Sequence, residues 1–129
     1  METKKVCACT ICFEQLNKPT NGKLQIWYGT GNNGKTTLLN KLMDKHMNNV
    51  ICISTRPSDF SYFATYSNAN LIIIPSDGYK LSNDFMEIFT QKYDKNKKYI
   101  HATNILPQID DKYKDYVDII KFDHVFKSQ

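Results

Sequence analysis

Arginine is almost missing from this chain of 129 residues: Arg56 is the only one among 17 basic side chains, the rest being lysine. A small nucleoside or nucleotide kinase clamps two phosphorylated substrates with several guanidinium forks, so the deficit counts against that class. Long apolar runs are missing too. No stretch approaches the length needed to cross a bilayer, and Met1-Glu2-Thr3-Lys4-Lys5 has no apolar segment behind it of the kind a secretion signal needs. The expectation is a soluble, intracellular, cytoplasmic protein with no membrane partner. There is no internal repeat, linker or low-complexity tract. The formal net charge of +4 is mild and predicts only a weak pull towards polyanions.

Cysteine is scarce and unevenly spread. Of the four cysteines, Cys7, Cys9 and Cys12 lie near the start, and Cys9-Thr10-Ile11-Cys12 has the C-x-x-C spacing of a metal knuckle. A closed zinc site needs four ligands, usually two such pairs. No second pair exists: Cys52 falls in an apolar segment, and His46, His101 and His124 are scattered. Residues 1–20 are therefore expected to be an N-terminal extension with reduced thiols, zinc requiring a fold-back that spacing cannot specify.

What the chain does contain is concentrated. Residues Gly29-Thr30-Gly31-Asn32-Asn33-Gly34-Lys35-Thr36 match G-x-x-x-x-G-K-[ST]. The segment before them, Leu24 to Tyr28, reads as a strand, and the one after, Thr37 to Met43, has helical spacing. In such a loop the glycines let successive N–H groups turn inward on an anion, and the following helix adds the positive end of its dipole. Lys35 is expected to reach the β- and γ-phosphates, Thr36 to hold Mg²⁺, and Thr37 with Leu38 and Leu42 to anchor the helix. A nucleotide is the implied ligand.

Downstream, Val50 to Ser54 reads as a buried strand. Ser58 is the expected N-cap of a helix carrying Phe60, Phe63 and Ala64, and Leu71 to Ile74 is an apolar strand closed by Pro75 and Gly78. Ser82 or Asn83 caps a helix bearing Phe85, Met86, Ile88 and Phe89. Lys98 to Thr103 is a further strand, stopped by Asn104 and Pro107, and Val117 to Phe122 alternates like an edge strand, with Lys112 to Asp118 a solvated face. Strands separated by helical lengths predict an α/β fold, one phosphate-loop domain over 21–129 with a mostly parallel sheet flanked by helices. Hydrolysis in this class uses a carboxylate at the end of a second strand. Here Pro75 and Ser76 occupy those positions and Asp77 is displaced by two residues, so it either swings back to the metal or caps a Ser-Asp-Gly turn.

The loop, with Asn33 immediately before Gly34, resembles the G-x-G-x-N-G-K-[ST] form of superfamily 3 viral helicases, in particular the helicase part of large-DNA-virus primase-helicases. Tyr99 to Pro107 is similar to that family's third motif, and the tail through Ile119, Ile120, Phe122 and Phe126 resembles its closing strand. The resemblance implies an ATPase core that uses ATP and Mg²⁺, with Asn104 as the polar sensor of the γ-phosphate or attacking water. It also implies Lys92, Lys95, Lys97 and Lys98 where the family tracks single-stranded DNA, and partners such as further copies or a larger replication protein. The chain departs from the pattern: no arginine follows Arg56, the acidic pair is broken, the space for a hairpin is short, and no helical oligomerisation region stands upstream. A minimal or degenerate relative with weak or partner-dependent hydrolysis is expected. The alternatives are a non-hydrolysing nucleotide-binding module that acts through a partner and, second, the small kinase. Asn40-Lys41-Leu42-Met43 lacks the final aspartate of a guanine-reading N-K-x-D, and Leu81-Ser82-Asn83-Asp84 is no substitute for a transporter signature.

Overall fold

The computed structural model describes residues 3–6, 21–29, 35–46, 49–75 and 81–122, with the backbone alone at 3–6, 35–37, 46 and 122. Six strands pair in one sheet: β1 (Thr3–Val6), β2 (Leu24–Tyr28), β3 (Val50–Cys52), β4 (Leu71–Pro75), β5 (Lys98–Thr103) and β6 (Val117–Phe122). Their spatial order is β1-β6-β2-β5-β4-β3, and every pair is parallel. Among the described residues three helices join them, α1 (Lys35–His46), α2 (Pro57–Tyr66) and α3 (Asn83–Lys92), with a 3₁₀ turn at Asp111–Tyr116. The fold is α/β.

Apolar residues on both faces explain why the sheet is parallel and covered twice. On one face Leu24, Ile26, Ile72, Ile74, Tyr99 and Val117 pack with Phe60 of α2 and Phe85, Met86 and Phe89 of α3. On the other, Trp27, Leu71, Ile73, Ile100 and Ile120 pack under Leu38 and Leu42 of α1. The first face is rich in rings: Phe89 lies 5.4 Å from Phe60 and 5.1 Å edge-on from Tyr99, centroid to centroid. Each such buried side chain stabilises the fold by about 1.5–3 kcal/mol relative to exposure.

The split of helices follows from strand order. The chain leaves β2 for the far edge strand β3, then steps back through β4 and β5 and passes over β2 to β6. Right-handed crossovers running in opposite directions must lie on opposite faces. Hence α1 covers one face, and α2, α3 and the 3₁₀ turn cover the other.

Helix starts obey local chemistry. Ser82 caps α3, its hydroxyl accepting from the Phe85 N–H at 3.2 Å. Helix α2 begins two residues earlier than expected: Pro57 takes the first turn and Arg56 is the N-cap, leaving Ser58 inside the helix. Proline suits that place because its missing N–H would have had no helical partner.

Three further expectations are corrected. Strand β3 is a short edge strand, and Cys52 is exposed on it instead of buried. Strand β6 lies between β1 and β2, not at an edge, because Thr3–Val6, within the expected extension, supplies the outer strand. The stretch Lys112 to Asp118 is only in part a solvated face: Lys112, Lys114 and Asp115 are exposed, whereas Tyr113 and Val117 are buried, the Tyr113 hydroxyl donating to Glu87 at 2.8 Å.

Candidate nucleotide-phosphate site

The carboxyl ends of β2 and β5 lie side by side, and the chain leaves them towards opposite faces: from β2 to α1, from β5 to the 3₁₀ turn. In an open α/β sheet this is the crevice where ligands bind. Gly29, the first residue of the glycine-rich loop, is buried there, and its N–H reaches the Thr103 carbonyl at 3.4 Å. Helix α1 starts at Lys35 with no acidic residue in its first turn, so no carboxylate of that turn neutralises its dipole end. Thr30, Gly31, Asn32, Asn33 and Gly34 lie outside the described residues, as do the side chains of Lys35, Thr36 and Thr37.

Asn104 is placed by its neighbours. Strands β2 and β5 pair Tyr28 with Thr103, so the next residues, Gly29 and Asn104, stand level at the end of the sheet. The Thr103 hydroxyl accepts from the Ile105 N–H at 3.2 Å and donates to the Ile105 carbonyl at 3.0 Å. This closes a tight turn with Asn104 exposed at its tip. Beside it, Pro75 ends β4 opposite Ala102. No carboxylate occurs at the described end of that strand, and Asp77 lies outside the described residues.

Two polar features of this region escape a sequence reading. His101 is buried, and its Nδ1 stands 2.7 Å from the Ile74 carbonyl; because a carbonyl only accepts, Nδ1 carries the proton. The ring thereby ties β4 to β5 just below the crevice. On the opposite face Trp27 Nε1 donates to the buried Gln25 side chain at 3.1 Å. Strand alternation marks His101 and Gln25 as inward-facing, but no local signal names their partners.

Arg56 also lies at the carboxyl end of the sheet, on the loop after β3. The strand it follows, β3, stands three places from β2 in the sheet, roughly 14 Å. Ser54 Oγ accepts from the Arg56 N–H at 3.2 Å and donates to Asp59, which fastens this turn to the first turn of α2.

The lysine stretch sits at the other end of the sheet. Lys95 and Lys97 belong to the turn before β5, and the seven steps from Lys97 through β5 carry the chain roughly 23 Å to Asn104. Its members also have different surroundings. Lys92 and Lys95 are exposed, Lys97 Nζ donates to the Ser67 carbonyl at 3.0 Å, and Lys98 is 8% exposed on the α1 face. Burial, reinforced by Lys45, pushes the Lys98 pKa down to about 8. A buried lysine is no solvent-facing contact for a phosphate, so the row of four expected from sequence is not one surface.

Among the described residues no cluster of histidine, cysteine and acidic side chains is arranged to hold a metal ion, and no helix is long and apolar enough to cross a membrane. Cys7, Cys9 and Cys12 lie outside the described residues. No protein-family model matches the chain, and no curated protein matches its sequence.

Proposed function

We propose that the chain is an ATP-binding phosphate-loop protein of the superfamily 3 helicase type, whose hydrolysis is weak or depends on a partner. The observation that carries this reading is the position of the motif: residues 29–36 join the end of β2 to the start of α1 at the point where the connections part to opposite faces. Backbone N–H groups at a helix start can satisfy phosphate oxygens there without displacing any acidic side chain of that first turn. Asn104, level with Gly29, fits a group that senses the terminal phosphate or a water beside it. Mg²⁺ would supply charge neutralisation between the β- and γ-phosphates, with Thr36 and Asp77 as the residues to hold it.

One observation favours a second reading, a nucleotide-binding module without turnover. Strand β4 ends in Pro75 where a hydrolytic site keeps a carboxylate, and the one arginine, Arg56, follows the edge strand β3, three places from β2. Binding needs neither group, whereas phosphoryl transfer uses both kinds.

Calorimetry with Mg-ATP on the wild type and Lys35→Ala tests the binding claim. The substitution removes the charge expected at the β- and γ-phosphates and should abolish measurable affinity while the thermal unfolding midpoint stays unchanged. Equal affinity in the two proteins would overturn the assignment. Steady-state turnover with and without single-stranded DNA then separates the two readings.

A further inference from the structure

A cleft of about 480 Å³ opens at the end of the sheet away from the glycine-rich loop, between the last turns of α2 and α3 and the turn into β5. Lys92, Lys95 and Lys97 line it, with Tyr93, Asn96 and Ala64. Its volume is in the range of small-molecule sites, and of its three lysines Lys92 and Lys95 are exposed while Lys97 Nζ donates to the Ser67 carbonyl at 3.0 Å.

The turn that carries these lysines is held from several sides. Tyr93 stacks on Phe89 at 5.5 Å and meets Tyr116 edge-on at 5.7 Å. The Asp94 N–H donates to the Tyr99 hydroxyl at 2.9 Å, the Asp94 side chain accepts from the Asn96 N–H at 2.8 Å, and the Asp94 carbonyl accepts from the Lys97 N–H at 3.1 Å. From below, Gly22 at φ +77° lies so close that a Cβ there would stand 2.7 Å from the Asp94 carbonyl oxygen. A preorganised turn spends little of its binding energy on ordering itself.

We infer that this cleft is a second anion site, which takes a compact oligophosphate, free or as the tail of a nucleotide. Two exposed ammonium groups, those of Lys92 and Lys95, share the cleft with one acidic residue, Asp94, while Lys97 holds the wall by donating to the Ser67 carbonyl; ammonium groups bind phosphate oxygens as point charges. Lys92 and Lys95 line one cleft and are not continued as a stripe. Lys98 is turned inward to the α1 face, and Lys23 lies 3.9 Å from Asp118. A strand of nucleic acid would need charges spread along its backbone, so the arrangement favours a ligand of limited length.

The site is independent of the nucleotide loop, and Lys35→Ala separates them. Titration calorimetry with tripolyphosphate, without Mg²⁺ and at low salt, is run on Lys35→Ala and on Lys35→Ala combined with Lys92→Ala and Lys95→Ala. The first protein should bind one equivalent. The second should bind about ten- to hundredfold more weakly for each ammonium group removed, with an unchanged unfolding midpoint because both side chains are exposed. ATP competing for the Lys35→Ala site would identify the nucleotide tail as a ligand; tripolyphosphate binding without such competition would identify the free oligophosphate. Absence of binding to Lys35→Ala, or equal binding by the two proteins, overturns the inference. A single-stranded oligonucleotide that binds Lys35→Ala more tightly than tripolyphosphate also overturns it, and assigns the cleft to a nucleic-acid strand.

Discussion

Replacing Lys98 by methionine should make the protein more stable at neutral pH, and the gain should disappear in alkali. Lys98 opens β5 on the face covered by α1, 8% exposed, and burial together with Lys45 lowers its pKa from 10.5 to about 8. That difference corresponds to about 3 kcal/mol at about 1.4 kcal/mol per tenfold change in proton affinity, an upper bound for a side chain whose stem packs usefully whatever its charge. The folded pKa is depressed, so the unfolded chain holds the proton more tightly. Below pH 8 the lysine is charged in both states and the whole penalty applies. Between pH 8 and 10.5 the folded protein gives up its proton first and the penalty shrinks; above 10.5 it is gone. Methionine keeps most of the volume and none of the charge. Urea unfolding of both proteins at pH 7 and pH 10 measures the effect, and the difference between them cancels the other titrating groups, Tyr99 included. A variant of equal or lower stability at pH 7, with a gap that does not change with pH, would refute the reasoning.

Phe89→Ala empties the centre of the ring cluster formed with Phe60, Phe85, Tyr93 and Tyr99 and should cost about 3–5 kcal/mol in urea unfolding. Gly22→Ala should destabilise by more than about 1–2 kcal/mol, because the left-handed backbone alone costs that much and the new methyl also meets the backbone of the Tyr93–Lys95 turn; a neutral result would show that the turn yields. Asp77→Asn should lower ATP turnover far more than ATP affinity, since a metal-side carboxylate acts in the transition state. Turnover that is measurable in the wild type and unchanged in the variant would exclude that role.

Elements whose neighbours do not matter were the ones legible in advance. Strand β5 runs from Lys98 to Thr103, closed by Asn104 as expected, and Ser82 caps α3 because a hydroxyl three residues before a free N–H needs no tertiary help. The failures concern position within the sheet. Val117 to Phe122 alternates like an edge strand, yet it is flanked on both sides, because the face a side chain meets and the strand its backbone pairs with are separate facts. Residues Thr3–Val6 carry two lysines and a threonine, so nothing in them announces pairing with β6 until the fold brings that edge alongside.

The site divides in the same way. The proposed phosphate loop carries a sequence signature because a backbone cradle imposes spacing on sequence, and the strand and helix that flank it are where that spacing requires them. Lysines impose no such spacing. Four in a stretch of seven read as one basic run, but the turn before β5 sends Lys98 into the α1 face, ties Lys97 to the end of α2, and leaves Lys92 and Lys95 beside one cleft. A strand reverses side-chain direction at each residue, so a basic run that enters one cannot remain a single surface. The position of that run, at the amino ends of the strands and a strand's length from Asn104, follows from topology: every crossover here starts at one end of the sheet and returns to the other. Any anion the lysines hold would therefore be a different anion from one held at the loop.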